Sequence, residues 1–238
     1  MATLVIQSFR TIHVPSWIDA CLKTVRQWSQ VQGYEYRFVG DEIFELVPDW
    51  YLDKSGRGPV ATDYGRLVLL KQALTEGYDQ VVWLDADIYV MDAGMQLEFE
   101  KSCAFGHETW IQEESGKMQA RRNLHNAVCV FRQGCAVLPF LMETTASIIR
   151  RANPDKIAPQ MVGPKLLSAL HSLYEFDLLP QVGMVSPALA RALIQSGGEA
   201  LTLWRQKTPC RLQAANLCTS LMDDRDGEKV IGQLGLLQ

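Results

Sequence analysis

The chain has 238 residues, 47% of them hydrophobic, enough to close a core of its own as one large domain or two small ones. Its formal charge of −4, with no block of Lys and Arg, excludes a general affinity for nucleic acid, so an anionic partner must be met locally by a metal or a single Arg. No run of about 18 apolar residues occurs, which excludes a membrane-spanning helix.

Met1 to Gln7 lacks the basic start and long apolar stretch of a signal peptide, and residues 3 to 9 read as a strand. A helix follows, opened by Pro15-Ser16 with Ser16 as its N-cap, with Ile18, Cys21, Leu22, Val25 and Trp28 as its apolar face and Gly33 as its stop. Tyr34 to Val39 is a second strand, ending in a Gly40-Asp41 turn. Strand, helix and strand in this order imply parallel pairing. Residues 48 to 58, rich in Pro, Asp, Lys and Gly, read as a long loop. Pro59 and Gly77 bracket a helix over 60 to 76, in which Asp63 and Arg66 stand three apart and face the same way. As a pair they are a surface salt bridge worth under about 1 kcal/mol. The helix nevertheless feeds into the most informative stretch of the chain.

That stretch is Val81-Val82-Trp83-Leu84-Asp85-Ala86-Asp87-Ile88-Tyr89-Val90. Its first four residues have no polar alternation and read as a strand buried on both faces, as in a parallel sheet. Ionised carboxylates cost several kcal/mol in such surroundings unless solvent or a cation meets them. Ligands of open α/β sheets sit at the carboxyl ends of the strands. Asp85 and Asp87 are therefore candidate ligands of a divalent metal carrying a phosphorylated substrate, beside the plainer reading of two solvated strand-end carboxylates. A second Asp-x-Asp, Asp224-Arg225-Asp226, lies in a polar tail with no apolar strand before it.

Ser102 to Gly106 reads as a short strand, Gln112 to Lys117 as an exposed turn, and Asn126 to Phe131 as an apolar strand with Asn126 at its start. Helices are expected over about 136 to 152, from Gly163-Pro164 to Tyr174, and over 187 to 206 with a break at Gly197-Gly198. Residues 209 to 221 form a last structured stretch, and 222 to 238 a charged turn with an apolar tail that packs back on the fold. Cys21, Cys103, Cys129, Cys135, Cys210 and Cys218 form no CxxC pairs and are read as reduced core residues of a cytoplasmic protein. His13, His107, His125 and His171 have no ligand spacing, although His125 lies in a plausible cleft. Neither a Gly-x-Gly-x-x-Gly nor a Gly-Lys-Ser/Thr loop occurs, against a Rossmann dinucleotide site and a P-loop.

Taken together, several of these stretches resemble the DXD-containing GT-A glycosyltransferases, in the manner of glycosyltransferase family 32. Ala61-Thr62-Asp63-Tyr64-Gly65-Arg66 resembles that family's Ser-Asp-x-x-Arg helix start, and Val82 to Asp87 its apolar strand ending in Asp-x-Asp. Asn126-Ala127 matches its Asn after the metal site. Val162-Gly163-Pro164 with Leu166-Leu167 matches its Gly-Pro helix start, and Ala215 to Ser220 its closing His-x-x-x-Ser. Asn216 stands where His is common, Leu221 where Trp is common, and Glu76-Gly77-Tyr78 only partly matches a Gly-Gly-x-Tyr tract.

The resemblance spans about residues 2 to 221 and implies an α/β GT-A (Rossmann-like nucleotide-binding) fold with a mostly parallel central sheet flanked by helices. It implies one catalytic domain, nucleotide-sugar-binding over 1–92 and acceptor-binding over 93–221, with 222–238 as a tail. It further implies transfer of a sugar from a nucleotide-sugar donor (a UDP- or GDP-sugar) to an acceptor hydroxyl, with retention and with Mn²⁺ or Mg²⁺. In that scheme Asp87 binds the metal and Asp85 the ribose or the metal-bound phosphate. Asp63 holds donor-sugar hydroxyls, steadied by Arg66, while Asn126, Gly163 and Pro164 line the donor pocket. Asn216 and Ser220 approach the metal or the diphosphate from the C-terminal side. The acceptor, whether glycan, lipid-linked or protein, stays open, and so does peripheral attachment to a membrane. The rivals are a nucleotidyltransferase that attacks the α-phosphate, a catalytically silent nucleotide-sugar binder, and a structural domain with solvated carboxylates.

Overall fold

The computed structural model describes residues 1–238. Its centre is a six-stranded sheet in the order β2-β1-β3-β6-β5-β7, built from β1 (Thr3–Ser8), β2 (Glu35–Val39), β3 (Gln80–Leu84), β5 (Cys103–Glu114), β6 (Lys117–Arg132) and β7 (Asp177–Leu179). β1 pairs parallel with β2 and β3, and β5 parallel with β7, while β6 runs antiparallel between β3 and β5. The expected mostly parallel α/β sheet is what forms.

Every residue of β3 is buried, as its unbroken apolar run requires. Its odd residues Val81 and Trp83 join Leu4, Ile6, Leu67 and Leu70 in one core, and its even residues Val82 and Leu84 join Val5, Val25 and Trp28 in another. Helix α3 (Pro59–Thr75) thus covers one face and α1 (Ser16–Gln32) the other. Gly33 ends α1 in the left-handed region, at φ 69°, with its N–H on the carbonyls of Gln30 and Ser29.

A second, three-stranded sheet has the order β4-β9-β8, from β4 (Ile88–Val90), β8 (Val182–Met184) and β9 (Ala214–Asn216). β3 ends at Leu84 in the first sheet and β4 begins at Ile88 in the second. Asp85 to Asp87 is the joint between them. Helices α4 (Val137–Arg151) and α5 (Pro164–His171) pack on the α3 side; α6 (Pro187–Ile194), α7 (Glu199–Lys207) and α8 (Asp224–Ile231) gather around the second sheet.

Several local expectations need correction. Pro15, not Ser16, is the cap of α1, and the Ser16 hydroxyl donates to Glu228 of α8. The supposed loop over 48 to 58 contains helix α2 (Asp49–Ser55), held by the buried Tyr51 ring. Gly40-Asp41 leads into a 3₁₀ turn over Asp41–Leu46. The strand at 102 to 106 continues to Glu114 and turns at Ser115-Gly116 into β6, so Asn126 lies well inside a long strand. Its polar outer half hid the hairpin from a reading of apolar runs. The helix from Pro164 stops at His171, short of Tyr174. The C-terminal segment packs back as expected: Val230, Leu234 and Leu237 are buried with Trp17. All six cysteines are free and five are buried as expected of core residues; Cys210 is not, lying exposed in the polar stretch after α7. No helix is long and apolar enough to cross a membrane.

Candidate functional site

The joint between the sheets opens onto a cleft of about 740 Å³ with Asp85 and Asp87 in its lining. Backbone pairing fixes the joint: the Asp85 amide donates to the Ala127 carbonyl at 2.8 Å and the Leu217 amide to the Asp87 carbonyl at 2.9 Å, so it is tied to β6 and to the chain leaving β9. Asn126 and Ala127 line the cleft from β6, Pro164, Lys165 and Ser168 from the start of α5, and Asn216, Cys218 and Ser220 from the C-terminal side.

Alternation along the strand places Trp83 and Asp85 on one face, and the Trp83 indole N–H donates to Asp85 Oδ1 at 2.6 Å. On that face lies α3, whose Arg66 brings Nη1 to 3.2 Å from the same oxygen. Both contacts fall on Oδ1, leaving Oδ2 to the cleft. Burial pushes the Asp85 carboxyl up to about 7, the Arg66 charge and the indole opposing it and the Asp87 charge adding to it. The Asp85 backbone carbonyl accepts from Gln7 Nε2 at 3.1 Å, and Tyr36 donates to Gln7 Oε1 at 3.0 Å, extending the network across β1 to β2.

Asp63 and Arg66 do form the expected pair, with Nη2 2.9 Å from Asp63 Oδ1, but it is buried, not a solvated bridge. Arg66 Nη1 also donates to the Asn126 carbonyl at 2.5 Å, and the guanidinium stacks 5.0 Å over the Trp83 ring. Asn126 Nδ2 donates to Asp63 Oδ1 at 2.7 Å. Burial raises the Asp63 carboxyl, and Arg66 and Asn126 counter it.

Asn126 reaches this position through an irregularity in the hairpin. Phe105 pairs with Cys129 while Gly106 pairs with His125, so the residues between bulge out of register with β5. Gly106 is needed there because a Cβ would lie 1.9 Å from His125 Cε1. His125 itself is buried, with Nε2 2.9 Å from the Val182 carbonyl; burial pushes it down to about 4, which makes it a neutral packing residue.

Asp87 is held from the C-terminal side. Asn216 Nδ2 donates to Oδ1 at 2.5 Å, and both the amide and the hydroxyl of Thr219 donate to Oδ2, at 2.8 and 2.7 Å. Asn216 Oδ1 accepts from the Cys218 amide at 2.8 Å, and Cys218 adopts the left-handed region at φ 54°, turning Thr219 toward Asp87. Thr219 and Trp83 escaped the sequence reading. The two-residue spacing of Trp83 and Asp85 on a strand was an available signal; nothing local marked Thr219.

Of the expected site residues, Asp85, Asp87, Asn126, Pro164, Asn216 and Ser220 border the main cleft. Asp63, Arg66 and Gly163 lie beneath it, around a void of about 20 Å³ that Asn126 also touches. Asp224 and Asp226 stand in the first turn of α8, capped by Asp223, well placed for the helix dipole.

No protein-family model matches the chain, and no curated protein matches it by sequence. Solved structures do. One is a glycosyltransferase involved in the glycosylation of the major capsid of PBCV-1, 12% identical, with a TM-score of 0.52 over 96% of this chain and 98% of that one. Another is mouse xyloside xylosyltransferase 1 in its apo form, 7% identical, with a TM-score of 0.51 over 93% of this chain and 99% of that one. At these identities the likeness concerns the fold, which is that of the GT-A glycosyltransferases.

Proposed function

We propose that the protein is a metal-dependent glycosyltransferase that moves a sugar from a nucleotide-sugar donor to an acceptor hydroxyl, with retention at the anomeric carbon. The observation that carries this is the arrangement of Asp85 and Asp87: two carboxylates at the end of a buried strand, lining one cleft, Asp85 held through Oδ1 alone and Asp87 oriented through both oxygens by Asn216 and Thr219. Both structures named above, which share the fold, are described as a glycosyltransferase and a xylosyltransferase, and the order of motifs along the chain agrees with glycosyl transfer.

The donor set fits a hard divalent cation such as Mn²⁺ or Mg²⁺. No group of three or more His, Cys, Asp or Glu side chains gathers in metal-holding geometry. Two carboxylates alone suit a cation that completes its shell with substrate phosphate and water. When bound, such a cation supplies charge that stabilises the departing nucleoside diphosphate. Asn216 turns its amide N–H to Asp87 and its oxygen to the Cys218 amide, so its role is to orient Asp87; Ser220 reaches the cleft from an exposed position. Arg66 acts through others, opposing the rise that burial imposes on the Asp85 carboxyl, aiming that carboxyl, and holding Asp63 against Asn126.

The test is thermal unfolding with UDP, GDP and their sugars, each with and without Mn²⁺. A ligand at a hundred times its dissociation constant adds about 2.7 kcal/mol. Stabilisation that requires metal and prefers one base is expected. No shift with any combination would leave Asp85 and Asp87 as strand-end carboxylates, and a shift without turnover would make the protein a silent binder.

A further inference from the structure

The outer half of the hairpin presents a second polar group to the same cleft. Side chains alternate along a strand, so Glu108, Trp110 and Gln112 share one face of β5, and all three line the cleft together with Asn123, the residue directly opposite Glu108. Glu108 is only 7% exposed. Asn123 Nδ2 donates to its Oε1 at 3.2 Å, while Oε2 has no partner. A buried carboxyl oxygen left unpaired is costly, so a group that brings a hydrogen to it gains the whole of that deficit.

The surroundings define what that group belongs to. Arg121, across from Trp110, is committed to Glu114 at 2.6 and 2.7 Å, and Arg122 to the Lys207 carbonyl at 3.2 Å. Neither arginine of the hairpin is therefore free to pair with Glu108; the cation that lines the cleft, Lys165, comes from the start of α5. Trp110, half-buried, offers an indole face between the polar side chains. An aromatic face flanked by a carboxyl and amides suits a neutral ring with hydroxyls around its edge and C–H groups on its faces. The subsite shares its cleft with the carboxylate pair: Glu108, Trp110 and Asn123 line the same cavity as Asp85 and Asp87.

We infer that the acceptor is a saccharide bound on this wall, with one hydroxyl donating to Glu108 Oε2 and its ring against Trp110. The inference rests on the transfer reading above and names its acceptor class. It is tested by saturation-transfer NMR with the methyl glycosides of glucose, galactose, mannose, xylose and N-acetylglucosamine, in the presence of Mn²⁺ and either UDP or GDP. At least one glycoside should take up saturation through its ring protons. E108Q and W110A should each weaken it about tenfold or more, with nucleotide-induced stabilisation unchanged. If E108Q does not fold, N123A probes the same carboxyl. Nucleotide binding with no glycoside binding, glycoside binding indifferent to the variants, or preference for an octyl chain over the sugar would each overturn the inference alone. Absence of nucleotide binding as well would overturn the transfer reading with it.

Discussion

Arg66 Nη1 lies 3.2 Å from Asp85 Oδ1 while Nη2 of the same guanidinium lies 2.9 Å from Asp63 Oδ1, so one buried cation serves two carboxylates from different elements. Removing it leaves Asp63 buried with an uncompensated charge and frees Asp85 from its main counter-charge. R66A is expected to cost about 3–5 kcal/mol in urea unfolding. R66K should recover part of that, since an ammonium keeps the charge and loses the fork. A cost for R66A below about 1 kcal/mol would return the pair to the class of solvated bridges.

Asp87 is satisfied by three donors from Asn216 and Thr219. An amide in its place loses an acceptor and turns an N–H toward one of those donors. D87N should therefore cost about 1–3 kcal/mol and leave a folded protein. It should also abolish the part of nucleotide-induced stabilisation that depends on Mn²⁺. Thermal unfolding with UDP and GDP, with and without Mn²⁺, separates the two effects; metal-dependent stabilisation equal to that of wild type would remove Asp87 from the metal site.

What the sequence disclosed follows from how local each signal is. Asp85 and Asp87 stand out because two charges interrupt a fully apolar strand, and that contrast needs no knowledge of neighbours. Asp63 and Arg66 were legible as a pair, yet i, i+3 spacing is the same for a surface bridge and a buried hub; only the packing of α3 on β3 and β6 distinguishes them. Asn126 was placed at a strand start because the bulge after Phe105 and the polar arm beyond it break the apolar run. Thr219 reaches Asp87 over a separation of 132 residues, through a left-handed turn at a cysteine that no pattern announces. Glu108 carried only a weak signal, a carboxylate in the polar trio His107-Glu108-Thr109 between the apolar pairs Ala104-Phe105 and Trp110-Ile111.

Gly163 owes its place to crowding. A Cβ there would lie 2.7 Å from Asn126 Nδ2 and 2.8 Å from Asp63 Oδ2, the two groups whose hydrogen bond closes the base of the cleft. G163A must move α5 or part that pair, so a loss of about 1–3 kcal/mol is expected in urea unfolding. Nucleotide-induced stabilisation should weaken along with it. Wild-type stability in G163A would mean that α5 can shift freely away from the cleft.

Glu108 makes stability depend on pH in a direction opposite to that of an ordinary surface carboxylate. Burial pushes its carboxyl up to about 7, with Asn123 only partly opposing, whereas an unfolded chain holds glutamate near 4.3. Between those values the folded state binds the extra proton, so this group's contribution is fully present at low pH and is lost as pH rises through about 7. The difference amounts to roughly 4 kcal/mol across the window. His125 acts in the other sense: pushed down to about 4 and neutral in the fold, it withdraws stability as pH falls below about 6.5. Comparing E108Q with wild type cancels the histidine and isolates the carboxyl. The variant should therefore gain on wild type from pH 5 to about pH 7 and level off above it in thermal unfolding, while H125Q should gain on wild type as pH falls toward 4. A difference between E108Q and wild type that is flat with pH would mean that Glu108 ionises as freely in the fold as in water, with its second oxygen solvated.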